Sequence, residues 1–383
     1  MRDILVPFTG LSAVRAIQAI RDAGHRSTAV FDQDIDALHI TMADDAFSSD
    51  FHPSLETFPL PSLPPVADDR NRDRRIGVWI RRDRHGSVEI LGTTGSSVQR
   101  RGEPIVVESP APFLSEQVVQ ELMEAAHDAA AKAHFQGVAV LEPAVGYSVV
   151  DLGLAEVPTI GCSAIEQVTG LDLYREQLRL ADGGTLAASA AIECRGHAIE
   201  FAIHAEDPAL GFLREPGVLQ GLRVPGGYGV RVDAAVHRTT TRPTLIGDDD
   251  SLLATITACG TDRNHALAIA ARALNEFEAI GVPTLIPFHL SLLRDPDFTD
   301  LERLGVHSHW LEENWLNKKS AQDLEPAPPA THPEELWGQE FADLIRFTVE
   351  IDGQPAEVGA SPATLDLLGI ERVDHDEDSG DSA

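Results

Sequence analysis

The stretch from Ser97 to Pro112 reads SVQRRGEPIVVESPAP. It places a glutamine and two adjacent arginines, Gln99, Arg100 and Arg101, at the end of an apolar-patterned strand. Guanidinium groups present several N–H donors and a permanent charge, which suits them to phosphate, carboxylate or bicarbonate. The next three residues, Gly102, Glu103 and Pro104, offer no side chain, a carboxylate and a backbone nitrogen without hydrogen. The stretch therefore reads in two ways. It is an anion site, or it is a scaffold turn whose arginines pair with local carboxylates.

Other residues invite chemistry less strongly. Glu142 ends the strand-like run GVAVLEP and reads as a metal ligand or as an ordinary strand-end acid. Arg231 in GVRVD reads as a ligand contact or as a partner for carboxylates and carbonyls. His307 and His309 have the spacing of two ligands on a strand, but no third ligand is near them in sequence. His134, His197 and His204 lack an acidic or cysteine partner at diagnostic spacing. Cys162, Cys194 and Cys259 are odd in number and contain no CxxC, so reduced thiols in a reducing compartment are expected.

The elements that must position these residues follow from the hydrophobic pattern. DILVPF, LSAVRAIQAIRDAG and STAVF read as strand, helix and strand, a βαβ unit. The turn after its first strand holds Gly10 and no GxGxxG. Residues 53–65, with five prolines, read as a linker. RIGVWIRRDRHGSVEILG reads as a hairpin turning at His85-Gly86. Residues 115–135 read as a helix with Ser115 as N-cap, followed by a strand pair in GVAVLEP and YSVVDLGL. The run from Cys162 to Gly184 reads as helical, interrupted at Gly170. Strand patterns dominate residues 186–260, and residues 262–281 read as an amphipathic helix. After prolines at 326–333, IRFTVEIDGQPAEVGAS reads as a hairpin with Asp352-Gly353 at its turn, and the acidic end reads as disordered.

With 383 residues the chain has room for two or three modest domains. A net charge of −31 argues against binding a nucleic-acid backbone. No run approaches the ~18 apolar residues of a membrane span, and MRDILVPFTG lacks a signal peptide's apolar core. A cytoplasmic protein is expected. Lys132, Lys318 and Lys319 are the only lysines, few for a protein that would meet phosphates with point charges.

The order of these motifs resembles the biotin carboxylases, the ATP-grasp subunits of acyl-CoA carboxylases. ILV…AVRAIQAIRDAG…STAVF…DALHITMADDAF resembles their start. RDRHGSVEILGTTGSSVQRR…VVESPAP resembles their ATP-grasp C-lobe. VTGLDLYREQLRLADG, GHAIEFAIHAEDPALGFLREPG, GGYGVRVD and DDDSLLATI resemble their C-terminal domain. The resemblance covers most of residues 1–317 and implies an α/β (α+β) fold. Its parts are a truncated N-terminal βαβ remnant, a partial ATP-grasp lobe and a biotin carboxylase C-terminal domain. The implied division is 1–52 N-terminal-like, 53–72 linker, 73–185 ATP-grasp C-lobe-like, 186–317 C-terminal-like, 318–341 linker, 342–360 hairpin and 361–383 tail.

The departures are selective. Where the family carries its mobile lid, with a glycine-rich phosphate loop and nucleotide-binding lysines, this chain has about twenty residues after Phe51. The family's S-x-Q-R-R-H-Q-K run is met by Ser97 to Pro104, so the resemblance puts glycine at its histidine and proline at its bicarbonate-binding lysine. A family histidine falls at Arg75. The first metal carboxylate is met by Glu142; the second falls at Gly153, or at Asp151 with the gap placed elsewhere. The asparagine, catalytic arginine and general base fall at Ala155, Val157 and Gly161. Arg231 stands where the family holds the biotin enolate.

The expectation is thus a degenerate, non-catalytic biotin-carboxylase-like protein, an accessory or structural subunit of an acyl-CoA carboxylase complex. It would pair with itself or with an intact biotin carboxylase or carboxyltransferase. No cofactor is expected under this reading. ATP, magnesium and biotin enter if the chain is instead an active biotin carboxylase, and biotin or an acyl ligand if it is a sensing module around Arg231.

Overall fold

A computed structural model describes residues 1–31, 37–48, 55–59, 75–143, 152–155, 159–186, 192–214, 217–236, 244–246, 251–318, 324, 327, 345–351 and 354–360. The chain divides into two compact units, Met1–Ala330 and Thr331–Ala383.

The first unit opens with β1 (Asp3–Val6), α1 (Gly10–Asp22) and β2 (Arg26–Phe31), and β1 and β2 are parallel. The βαβ expectation holds, with Val14, Ile17 and Ile20 of α1 buried against the strands. The unit is larger than the two strands expected. After α2 (Leu38–Met42), β3 (Asp45–Ser48) adds beside β2, and β4 (Glu56–Thr57) adds beside β1. β4 falls inside the proline-rich segment read as linker. Glu56 and Thr57 lie between Pro53 and Pro59, so both keep a backbone N–H, and Phe58 buries its ring to 2% exposure. The remaining residues of 53–72, apart from Leu55 and Pro59, lie outside the described set.

The chain continues through β5 (Arg75–Arg82), β6 (Val88–Arg100), β7 (Glu103–Ser109), α3 (Glu116–Lys132), β8 (Gly137–Pro143), β9 (Leu152–Ala155), α4 (Cys162–Thr169) and α5 (Leu173–Ala181). Then come β10 (His197–His204), β11 (Glu206–Asp207), β12 (Leu213–Arg214), β13 (Gly217–Leu219), β14 (Gly221–Arg223), β15 (Val230–Ala234), β16 (Thr244–Ile246) and β17 (Leu252–Gly260). They lead to α6 (Arg263–Glu276), β18 (Glu278–Ile280), α7 (Ile286–Leu292), α8 (Pro296–Thr299) and α9 (Trp310–Glu313).

Eight of these strands form one antiparallel sheet, ordered β15-β17-β10-β7-β6-β5-β8-β9. Apolar clusters pack against both faces of this sheet, and buried polar residues are set among them. In β5, Ile76, Val78 and Ile80 face Leu122 and Ala126 of α3, while Trp79 faces the core shared with α1, α4 and α5. In β10, Ile199, Phe201 and Ile203 face the core under α6, while Ala198 faces the other way.

The helix caps agree with the sequence. Ser115 accepts from the N–H of Val118 at the start of α3, and Asp262 accepts from that of His265 at the start of α6. Gly170 ends α4 in the left-handed region. The helix expected over 262–281 stops at Glu276. Phe277 turns extended and buries its ring, and β18 pairs with β14. Tertiary strand pairing overrides the helical period there.

The second unit's described residues form one antiparallel hairpin, β19 (Ile345–Ile351) with β20 (Gln354–Ala360). Ile351 pairs with Gln354, which leaves a two-residue connection as the sequence implies. Asp352 and Gly353 themselves, and the acidic end, lie outside the described residues.

One carboxylate organises the centre of the first unit. Glu108, 0% exposed, accepts from Ser97 Oγ at 2.7 Å and His197 Nε2 at 2.9 Å. It also accepts from Arg263 Nε at 2.6 Å. Arg263 donates onward to the carbonyls of Phe298 and Thr299. Three strands and one helix thus meet at one side chain, and Arg263 carries the link on to α8. Burial pushes the Glu108 pKa up, but His197 and Arg263 more than offset this and hold it at about 2. The folded value lies below the ordinary 4.5, so its stabilisation is complete above that value and fades as pH falls towards 2. Glu108→Gln is expected to cost ~3–5 kcal/mol of unfolding free energy at neutral pH. Denaturant titrations from neutral to acid pH should also show a shallower acid loss in the variant than in the wild type.

Candidate functional site

The hairpin between β6 and β7 carries the residues that opened the sequence reading. Arg100 pairs with Glu103, so Arg101 and Gly102 form a two-residue loop with φ of 50° and 85°. Positive φ at both central positions defines the tight type I′ hairpin turn. Glycine takes that conformation freely at the second position. Pro104 lies in β7 opposite Gln99.

Arg100 and Arg101 line a cleft of about 970 Å³, together with Glu206, Phe212, Arg214 and the first turn of α1. Arg100 is already committed within it. It pairs with Glu206, donates to the carbonyl of Phe212 at 2.6 Å and lies 5.1 Å over the Phe212 ring. Arg214 Nε meets the other oxygen of Glu206 at 3.1 Å. Burial lowers the Arg100 pKa, and the Glu206 charge counters this only in part. Arg101 is exposed, and its backbone N–H donates to Glu312 Oε1 at 2.9 Å. Gln99 is 3% exposed with no partner for its Nε2 among the described residues, and it does not line the cleft.

Glu142 sits in β8 directly across from Gly153 in β9. The two positions to which the resemblance assigns metal carboxylates are therefore neighbours, but only one of them carries a carboxylate. Arg75 reaches Glu142 at 3.4 Å and donates to the carbonyl of Gly102 at 3.4 Å. It ties the strand-end acid to the hairpin turn. Asp151 and Val157 lie outside the described residues.

Arg231 lies in β15 away from this cleft, lining a separate pocket of about 320 Å³ with Arg15 and Glu166. Its Nη1 meets Glu166 at 2.7 Å and its Nε meets Asp233 at 2.9 Å. Arg15 of α1 meets the same Glu166 at 2.6 Å and Asp233 at 3.6 Å. Ser163 donates to Asp233 at 2.6 Å. Burial and Arg15 push the Arg231 pKa down, and Asp233 with Glu166 reverses this to a net rise. Gly161, to which the resemblance assigns the general base, is the N-cap of α4 with φ of 104°. A side chain there would be strained and would place its Cβ 3.1 Å from Val107.

The five residues singled out in the sequence therefore do not converge. Arg100 and Arg101 share a cleft, Arg231 belongs to another pocket, Gln99 is buried, and Glu142 pairs with Arg75. The carboxylates that claim the arginines, Glu166, Glu206 and Asp233, were not among them. Glu206 and Asp233 lie in motifs recognised as family-like, HAEDPALGF and GVRVD; Glu206 meets Arg100 from far along the chain, whereas Asp233 meets Arg231 from two residues away within the same motif. His309 N–H donates to His307 Nδ1, and among the described residues no group of three His, Cys, Asp or Glu is placed to hold a metal ion. No helix among the described residues is long and apolar enough to cross a membrane.

Two family models match the chain. One, described as the ATP binding domain of the carbamoyl-phosphate synthase L chain, covers residues 70–189; the other, the biotin carboxylase C-terminal domain, covers residues 200–313. The biotin-dependent acyl-coenzyme A carboxylase alpha3 subunit of Mycobacterium leprae is 35% identical over 314 residues, covering 79% of this chain and 50% of that protein. Biotin carboxylase 1 of Bacillus subtilis is 34% identical over 233 residues, covering 60% of this chain and 51% of that protein. The chain spans about half the length of the curated relatives it matches. The solved biotin carboxylase of Campylobacter jejuni superposes with a TM-score of 0.69 at 20% identity, covering 82% of this chain and 99% of that one. At that identity the superposition establishes a shared fold.

The Arg15–Glu166–Arg231–Asp233 network sets an order of costs. Arg15 and Glu166 have side chains 8% and 2% exposed, against 26% for Arg231. Arg15→Met leaves Glu166 buried with its weaker partner and is expected to cost ~3–5 kcal/mol. Arg231→Met leaves Arg15 in place and is expected to cost ~1–2 kcal/mol. Urea unfolding of both variants checks the order.

Proposed function

The chain is a biotin-carboxylase-like protein of the carboxylase family, and from that premise we propose that it serves as a non-catalytic accessory or structural subunit of an acyl-CoA carboxylase complex. The observation that carries this reading is the internal commitment of its cations. Arg100 is held by Glu206 and Phe212, and Arg231 by Glu166 and Asp233. Binding an anion at either place requires breaking a part-buried ion pair first.

The residues around the implied cofactors support the same reading. A divalent ion that bridges nucleotide phosphates takes several hard oxygen ligands. The β8–β9 row offers Glu142 opposite Gly153, and Glu142 is already paired with Arg75. Bicarbonate deprotonation needs a positioned base, and Gly161 supplies a backbone N–H in its place. ATP, magnesium and biotin therefore do not fit the described residues as a working set. What the chain retains is the scaffold: the antiparallel sheet, the α6 core and the N-terminal parallel sheet. Pairing with a second copy, or with an intact biotin carboxylase or carboxyltransferase, is the role such a scaffold supports.

The expected outcomes are a flat calorimetric titration with ATP, magnesium and bicarbonate, and retention of the full chain on an immobilised carboxylase subunit. Bicarbonate-dependent ATP hydrolysis would sink this reading in favour of an active ligase. Biotin binding that Arg231→Ala abolishes would turn it towards a sensing module. Loss of all association with carboxylase subunits would remove the accessory role.

A further inference from the structure

The face of the large sheet turned away from α6 gathers an unusual set of polar groups. Cross-strand register places Glu200 beside Thr257 and Thr257 beside Arg231. One step along, Ala202 lies beside Thr255 and Thr255 beside Asp233. The alternation is consistent, because Ile199, Phe201, Ala254, Ile256 and Ala258 all belong to the opposite, apolar core. Glu200, Thr255 and Thr257 are each 0% exposed.

Glu200 Oε2 accepts from the N–H groups of Gly161 and Ala164 at 3.0 Å each, at the start of α4. Among the described residues its Oε1 has no hydrogen-bond partner, and neither has Thr255 Oγ1 or Thr257 Oγ1. Buried polar atoms are rarely left unpaired, and three on one face of adjacent strands call for an occupant.

The surrounding charges say what kind. Arg15 on α1 and Arg231 on β15 are the nearby cations, and both are engaged by Glu166 on α4 and Asp233 on β15. Cys162 on α4 and Tyr174 on α5 complete the titratable surroundings, and burial pushes both pKa values up, keeping them neutral. Two guanidinium groups thus serve three carboxyl groups, leaving one negative charge without a cation. The three free atoms are hard oxygens, one with a charge and two with hydroxyl lone pairs.

We propose that Glu200 Oε1, Thr255 Oγ1 and Thr257 Oγ1 form an internal site for one partly dehydrated alkali cation of the sodium or potassium class. A proton on Glu200 is its competitor. Burial, opposed by the Ala164 N–H and reinforced by Asp233, pushes the Glu200 pKa up to about 7. The proton therefore takes the position in acid, and the cation takes it above neutrality.

The test is thermal unfolding of the full chain in potassium, sodium and choline chlorides at equal ionic strength, at about pH 8.5 and about pH 5.5. At the higher pH the alkali salts should raise the melting temperature by ~2–4 °C over choline, saturating with concentration. The difference should vanish at the lower pH and in Glu200→Gln, and shrink in Thr257→Val. Equal melting temperatures in all three salts at pH 8.5 would overturn the site, leaving a proton or water as the occupant. An alkali effect that survives Glu200→Gln would also overturn it. If that variant fails to fold, rubidium-soaked crystals of the wild type decide. An anomalous peak within coordination distance of Glu200 Oε1 supports the proposal, and peaks elsewhere alone refute it.

Discussion

The carboxylate of Glu108 is the constraint on which the first unit depends. It receives hydrogen bonds from Ser97 in β6, His197 at the start of β10 and Arg263 at the start of α6. An ionised carboxylate at zero exposure is costly unless every lone-pair direction is met. Its partners come from elements far apart in sequence, so β6, β10 and α6 must adopt their mutual register before the charge is tolerable. The Arg263 branch to Phe298 and Thr299 extends that register to α8. This anchor asks nothing of the hairpin turn, the cleft or the N-cap of α4. A fold held together there can lose reactive side chains at those other places and keep its sheet order.

The same electrostatic rule explains where the remaining arginines went. A guanidinium that leaves water must find a carboxylate, and the acidic composition supplies one at each turn. Arg100 meets Glu206, Arg81 meets both Glu89 and Glu176, and Arg15 and Arg231 share Glu166. A site that binds anions needs a cation in surplus, pre-organised and unpaired until the ligand arrives. Here local carboxylates already fill that role. The surplus that remains is negative, at Glu200, where the sheet buries a third carboxyl group among two committed arginines.

The sequence was legible where local physics decides. The βαβ start, the α3 cap, the break at Gly170 and the 345–360 hairpin all follow from periodicity, capping oxygens and turn glycines. It was less legible where partners are distant. Nothing near Glu56 and Thr57 signals that they would pair with β1, and nothing near Phe277 signals that β18 would answer β14. The candidate site followed the same division. The residue types at Gln99, Arg100, Arg101, Glu142 and Arg231 were readable, but their distant partners were not. Glu206 lies 106 positions from Arg100 and Glu166 lies 65 from Arg231, whereas Asp233, two positions from Arg231, lies within the same motif.

The hairpin turn shows how the residues of this region depend on one another. A lysine at residue 104 would add a cation beside Glu103 and Arg101, at the mouth of a cleft where Arg100 and Arg214 already divide one carboxylate. Without a bound anion, that cation would raise the local repulsion. Proline removes the charge. Glycine at 102 lets the two-residue loop close at positive φ, and its carbonyl then receives Arg75. Arg75 in turn neutralises Glu142, the carboxylate left facing Gly153. The hairpin turn, Arg75 and Glu142 are thus tied to one another in the described structure.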